Sequence, residues 1–90
     1  MGRILVTPEQ LDQVSKQFKT ASEQSQQMST KLAQSVKALD SQWDGMTQQR
    51  FFQEFQDAQK QMTSYVQLLN SVGQELKDIA ERFRQLDNAK

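Results

Sequence analysis

The midpoint of this 90-residue chain is marked by Trp43-Asp44-Gly45, which holds its only tryptophan and one of its three glycines. On both sides of this tripeptide, apolar residues recur at alternating spacings of three and four, which places them along one face of a helix. Gly45 is suited to reverse the chain between the two helices, because glycine reaches backbone conformations that are closed to other residues. The pattern predicts an all-α fold, in which an antiparallel two-helix hairpin forms a single domain over residues 1–90 with its turn at 43–45.

The first helix is predicted to span residues 8–40, and its start is encoded locally. Thr7 and Gln10 form a Thr-x-x-Gln capping box, in which each side chain satisfies the other residue's backbone amide, and Pro8 suits the first helical position. At about 1.5 Å per residue, this helix is expected to be roughly 50 Å long. Its inward positions are Leu11, Val14, Phe18, Ala21, Ser25, Met28, Leu32, Val36 and Leu39.

The second helix is predicted over residues 46–87, directly after the turn. Its apolar stripe keeps the four-three spacing without a break, which is typical of helices that pack in bundles. Gly73 falls outside this stripe, where a glycine lowers helix stability by about 1 kcal/mol. The stripe consists of Phe51, Phe55, Ala58, Met62, Tyr65, Leu69, Val72, Leu76, Ile79, Phe83 and Leu86, flanked by Phe52, Val66, Leu68 and Ala80.

Two helices with one apolar stripe each do not complete a core, because packing them together leaves part of both stripes in water. We therefore expect two hairpins to pair into a dimeric four-helix bundle. Small residues in the middle of the first helix allow backbones to approach closely, and we place the dimer contact there. The residues of this predicted contact are Phe18, Ala21, Ser25 and Met28, together with Ser22 and Ser29. In the alternative, Ser25 is only a tolerated weak position within the hairpin.

Composition argues against several classes of function. The chain has no cysteine and no histidine, which removes disulfides, thiol nucleophiles, imidazole bases and most metal sites, and it indicates no cofactor. Eleven basic and eleven acidic residues cancel without a basic block, which argues against nucleic acid as a partner. Carboxylate pairs such as Glu54 and Asp57 are normally solvated charges on a helix, so we expect no enzyme. The balanced charge gives no strong membrane signal, and no segment approaches the ~20 apolar residues of a membrane span.

The centred Trp43-x-Gly45 between two heptad-patterned helices resembles the small Trp-X-Gly proteins (the WXG-hundred, or ESAT-like, family) that type VII secretion systems export. The opening Ile4-x-Val6-Thr7-Pro8-Glu9 is similar to that of firmicute members. The resemblance implies a small, virulence-associated homodimer that is secreted with the help of the secretion ATPase and without a cleavable signal peptide. The start of the chain is consistent with this, because its short apolar run does not meet the requirements of a secretory signal peptide.

The family carries a second motif near the C-terminal end, in which an aromatic residue, usually tyrosine, is followed at the fourth position by Asp or Glu. The matching pair here is Phe83 and Asp87, with phenylalanine at the tyrosine position. In a hairpin, these residues lie at the end opposite the turn. If two hairpins pair antiparallel, Trp43 and Gly45 of one chain meet Phe83 and Asp87 of the other. The resemblance therefore implies a composite export signal that only a dimer displays.

Several alternatives stay open at the level of the sequence. Trp43 can serve as an apolar plug at one end of the bundle, and Phe83 lies on the core stripe, where packing alone accounts for it. The chain can also be one half of a heterodimer with a paralogous hairpin that escorts a larger effector, or a cytosolic coiled-coil adaptor unrelated to secretion. No set of residues identifies an activity after export.

Overall fold

The computed structural model describes residues 6–88, with side chains as far as Leu86, and contains two α-helices. Helix α1 spans Pro8–Asp40 and helix α2 spans Met46–Asn88, and they pack side by side in antiparallel directions. The hairpin is a rod of 69 × 22 × 17 Å, without a strand among the described residues. The predicted two-helix hairpin, with helices at 8–40 and 46–87, is confirmed. Residues 1–5, with Ile4 of the opening motif, and residues 89–90 lie outside the described residues.

Helix α1 begins with the predicted capping box. Thr7 Oγ1 accepts a hydrogen bond from the backbone N–H of Gln10 at 3.1 Å, and Gln10 Oε1 accepts one from the N–H of Thr7 at 2.9 Å. Pro8 occupies the first turn, where its missing N–H would have no partner within the helix, and Glu9 complements the helix dipole. These local interactions fix where α1 starts.

The contact between α1 and α2 is tightest in the half of the hairpin that holds the chain ends, and small residues form most of it. The residues buried there are Ser22, Leu69, Gly73 and Ala80. Ser15 Oγ donates a hydrogen bond of 2.7 Å to the carbonyl oxygen of Gly73, across the contact. The helices approach each other closely in this half because the side chains between the two backbones are small.

Gly73 lies outside the apolar stripe of α2, but it belongs to the contact with α1. A Cβ atom at Gly73 would lie 3.2 Å from the Cβ of Phe18 and 3.3 Å from the carbonyl oxygen of Ser15. Even a methyl group therefore requires α1 to move. The physical reason is that only part of the wide apolar surface of α2 faces α1, and the centre of that part runs through Gly73 rather than through its apolar neighbour Val72.

The apolar stripes are divided between the helix contact and one exposed face. Exposed apolar residues directly precede residues in the contact, as Val14 precedes Ser15 and Leu68 precedes Leu69. In each helix, the exposed apolar residues are therefore rotated away from the contact in the same sense about the helix axis. Because the two helices run antiparallel, both sets of exposed residues lie on the same face of the hairpin. We call this surface the apolar face. Its exposed members are Val14, Met28, Leu32 and Leu39 of α1 and Tyr65, Leu68 and Leu86 of α2.

The small residues predicted to mediate dimerisation are in part used by the hairpin itself. Ser22 is 3% exposed and packs between α1 and α2, so it is not free to form a surface between two hairpins. The closest approach of two backbones needs the smallest side chains, and this approach occurs within the hairpin. Phe18, Ala21 and Ser25 are half-buried, whereas Met28 is 60% exposed on the apolar face. Their role in a dimer contact stays a prediction.

Candidate functional site

The turn is held by hydrogen bonds at both helix ends and by the conformation of one glycine. The N–H of Gln42 donates to the carbonyl oxygen of Leu39 at 3.0 Å, where α1 ends, and the N–H of Gln49 donates to the carbonyl oxygen of Gly45 at 3.2 Å, where α2 begins. Gly45 has a φ of +108°, which glycine adopts readily and other residues do not. A Cβ atom at Gly45 would have no neighbour within 4 Å. The glycine is therefore required by its backbone conformation and not by a lack of space.

Trp43 is half-buried in a cluster of aromatic side chains from the first turns of α2. Its ring centroid lies 5.4 Å from that of Phe51 and 6.5 Å from that of Phe52, and Phe55 stacks on Phe51 at 6.3 Å. Aromatic pairs of this kind contribute about 0.5–1.5 kcal/mol beyond the area they bury. Trp43 therefore packs as an apolar plug at the end of the rod and stays partly exposed.

Phe51 and Phe52 belong to this aromatic surface, although the sequence pattern placed them only on the stripe of α2 and its flank. The signal that points to them is their position, because aromatic residues in the first two turns after a tight reversal necessarily lie beside the turn. We define Trp43, Phe51, Phe52 and Phe55 as the aromatic cluster.

The opposite end of the rod holds Phe83, which is half-buried, and the charged residue that follows it. Arg84 Nη2 lies 2.5 Å from Asp12 Oδ2 and its Nη1 lies 3.6 Å from Glu81 Oε1, which connects the end of α2 to the beginning of α1. The hydrogen bond to Asp12 raises the pKa of the Arg84 guanidinium above its ordinary value, so Arg84 is charged throughout the physiological pH range. Asp87 lies in the last turn of α2, and its side chain is outside the described part of the chain.

The two halves of the predicted signal are far apart within one chain. Trp43 precedes α2 and Phe83 lies near the end of this helix, and at ~1.5 Å per residue the helix separates them by roughly 55–60 Å. One hairpin therefore does not bring them together. A surface that contains both requires a second hairpin running in the opposite direction.

The described residues present aromatic, charged and apolar side chains that another protein can bind. Among them, no cluster of acidic residues is arranged to hold a metal ion, and neither helix in residues 6–88 is long and apolar enough to cross a membrane. What the hairpin presents instead is an aromatic cluster at one end, an ion pair beside Phe83 at the other, and the apolar face between them. Partly exposed aromatic and apolar surfaces of this kind are typical of protein–protein contacts.

In sequence, the chain is similar to known proteins over nearly its full length. Residues 3–88 match the WXG100 family, described as proteins of 100 residues with WXG. An ESAT-6-like protein of Streptococcus agalactiae serotype V is 30% identical over 87 residues, which cover 97% of this chain and 91% of that protein. The type VII secretion system extracellular protein A of Staphylococcus aureus strain USA300 is 25% identical over 87 residues, which cover 97% of this chain and 90% of that protein.

In structure, the hairpin is similar to solved proteins of comparable length. The secreted protein EsxB of Bacillus anthracis strain Sterne superposes with a TM-score of 0.86 at 34% identity, covering 97% of this chain and 99% of that one. EsxA of Geobacillus thermodenitrificans superposes with a TM-score of 0.85 at 29% identity, covering 99% of this chain and 96% of that one. Both helices and the turn between them are therefore shared with these proteins.

Proposed function

The chain belongs to the WXG100 family, and from that premise we propose that it is a small non-enzymatic protein that a type VII secretion system exports to the extracellular space. Its relative in S. aureus is named an extracellular protein of that system, and its relative in B. anthracis a secreted protein. The observation that carries the proposal is the family match over residues 3–88, which includes the Trp43-x-Gly45 turn. A match confined to the periodic helices would fit a cytosolic coiled-coil adaptor equally well.

The exported form in this proposal is a homodimer in which two apolar faces pack against each other. Seven large apolar side chains are exposed along one side of the hairpin, and monomeric proteins seldom leave such an extended patch in water. Packing two such faces together buries them and completes a four-helix bundle. The proposed contact takes in Phe18, Ala21, Ser25 and Met28 along α1, together with the exposed members of the apolar face.

The two hairpins of the proposed dimer run antiparallel, which places the turn of each protomer beside the end of α2 in its partner. Trp43 and Gly45 then join the partner's Phe83 and the partner's Asp87 in one composite signal for the secretion ATPase. The partial exposure of the aromatic cluster and of Phe83 supports this arrangement, because each half of the signal retains surface for a partner. The separation of the two halves within one chain explains why the signal depends on dimerisation.

Deletion of the secretion ATPase tests the proposed export. We expect the tagged protein to be present in the culture medium of its native cells. Its amount there should fall to background when the ATPase gene is deleted, because export is proposed to depend on this ATPase. An abundant cytosolic protein, measured in the same medium, controls for lysis. Equal amounts in the medium of both strains, or none in either, would contradict export by this system.

Single cysteines test the antiparallel homodimer, because the chain has no cysteine of its own. Tyr65 is exposed on the apolar face, midway along the chain between Trp43 and Asp87, so the two-fold axis of the proposed dimer passes near it. In the variant Tyr65→Cys, we expect a short thiol–thiol crosslinker to join the new cysteine of one chain to the same cysteine of its partner, which gives covalent dimers. Met46→Cys is expected to stay unlinked, because Met46 and the partner's Met46 would lie at opposite ends. Gln67→Cys, exposed away from the apolar face, controls for random collision.

A reversed crosslinking pattern would contradict the proposed arrangement. Efficient linkage of Met46→Cys would indicate that the hairpins run parallel, with both turns at the same end. Sedimentation of the unmodified chain then separates the homodimer from its alternative. A stable folded dimer supports the proposal, whereas a poorly folded monomer that gains helix when a paralogous hairpin is added supports a heterodimer that escorts a larger effector.

A further inference from the structure

The last turns of α2 extend past the beginning of α1. Ser15 lies beside Gly73, and Asp40 accepts a hydrogen bond from Gln48 at 2.8 Å, which together define the pairing between the antiparallel helices. Continuing this pairing to the start of α1 puts Pro8 opposite Ala80. Residues 81–88 therefore continue beyond α1 for about 12 Å, at ~1.5 Å per residue. We call these residues the α2 extension.

The α2 extension holds both residues of the proposed C-terminal half of the signal, Phe83 and Asp87. Most of its described side chains are exposed, and Phe83 and Arg84 are the two that are half-buried. Long helical side chains lean toward the N-terminus of their own helix, so Arg84 reaches back from the extension to Asp12, one turn inside α1. The two partners are 72 positions apart in sequence.

We infer that Asp12 is a positioning residue for the proposed export signal, because its ion pair with Arg84 holds the α2 extension against α1. This inference rests on the proposed function for the role of Phe83 and Asp87, and on the described contacts for the anchor itself. Arg84 is the immediate neighbour of Phe83, so fixing its side chain restricts both the direction and the fraying of the final turns. Glu81 lies 3.6 Å from the same guanidinium and limits its freedom further.

Asp12→Asn and Arg84→Gln test the anchor by amide hydrogen exchange. We expect amides in residues 81–86 to exchange about two- to five-fold faster in each variant, the range for a partly exposed ion pair. Arg82→Gln removes the same charge from the same extension but has no ion pair among the described residues, so its exchange is expected to stay at the wild-type rate. Asp12→Glu, which can keep the pair, is expected to restore slow exchange.

Export of the same variants tests the positioning role. Asp12→Asn is expected to reduce the amount in the medium by a similar two- to five-fold, although Asp12 is not part of the proposed motif, while dimer mass and total helicity are unchanged. Unchanged exchange in Asp12→Asn would overturn the anchor, and faster exchange with full export would overturn the positioning role. The proposed signal fails separately, if Asp87→Ala is exported at the wild-type level. The exchange rates would then still decide whether the anchor exists.

Discussion

Gly73→Leu is expected to lower the free energy of unfolding of the hairpin by about 2–3 kcal/mol and its Tm by roughly 10–20 °C. Leucine is a better helix former than glycine, so the propensity of α2 alone would predict the opposite result. The loss arises because the new side chain has to enter a contact in which even a Cβ atom lies 3.2 Å from the Cβ of Phe18. The helices would have to separate there, which also breaks the hydrogen bond from Ser15.

Thermal unfolding followed by circular dichroism measures this effect, at equal protein concentration because the proposed dimer would make the Tm depend on concentration. Gln67→Leu is the matched control, since it introduces the same side chain at an exposed position of the same helix. Surface changes of this kind usually alter stability by about 0.5 kcal/mol or less. An unchanged or raised Tm for Gly73→Leu would mean that helix propensity outweighs the contact, and that the two helices are not closed at this point.

If the proposed composite signal directs export, Asp87→Ala and Trp43→Leu are each expected to reduce export at least about tenfold, since each removes a recognition contact of ~1.4 kcal/mol or more. Neither change should unfold the chain. An acidic side chain at the C-terminus of a helix is unfavourable for the helix dipole, so removing Asp87 does not weaken α2. Leucine at position 43 keeps an apolar side chain over Phe51 and Phe52, so the hairpin loses the aromatic contacts of the indole, worth about 0.5–1.5 kcal/mol each, but not its apolar cover.

Export is measured as the ratio of protein in the medium to protein in the cells, with helicity and dimer mass checked for each variant. Asp78→Ala serves as the control for Asp87→Ala, because it removes an exposed carboxylate from the same half of α2. Loss of the dimer in Asp87→Ala would make this residue structural. Full export of both variants would contradict the composite signal.

Expressing the two variants together tests whether the signal is shared between chains. In a mixed dimer, the chain with Trp43→Leu still has Asp87 and the chain with Asp87→Ala still has Trp43, so one of the two composite surfaces is intact. About half of the dimers are mixed if the chains pair at random, and export is expected to recover to a comparable fraction. Both chains should then appear in the medium in equal amounts. A signal confined to one chain would show no recovery.

Secondary structure was predictable from the sequence because its determinants are local. The capping box of Thr7 and Gln10 fixed the start of α1, and Gly45 supplied the positive φ that lets α2 begin after the turn. The regular three-four spacing of apolar residues did the rest, since it reflects the period of the helix itself. The Trp43-x-Gly45 turn was predictable because the tripeptide lies between two segments with helical spacing. The family match over residues 3–88 includes this turn and both helices.

Which side of each helix faces the other was decided only in the tertiary structure. A wide apolar stripe is compatible with several rotations, and the choice depends on where the two backbones approach most closely. That approach selected Ser22, Gly73 and Ala80 for the contact and left larger neighbours such as Met28 and Leu68 exposed on the apolar face.

The ion pair between Asp12 and Arg84 was also decided by the tertiary structure and not by local sequence. Neither residue is distinguished by its local sequence, and 72 positions separate them. They meet because the pairing of α1 with α2 carries the end of α2 past the start of α1. Sequence alone therefore determined the helices, the turn and the candidate residues at the two ends. The tertiary structure decided the packed side and the free side, because side chains distant in sequence meet only when the register between the helices is set.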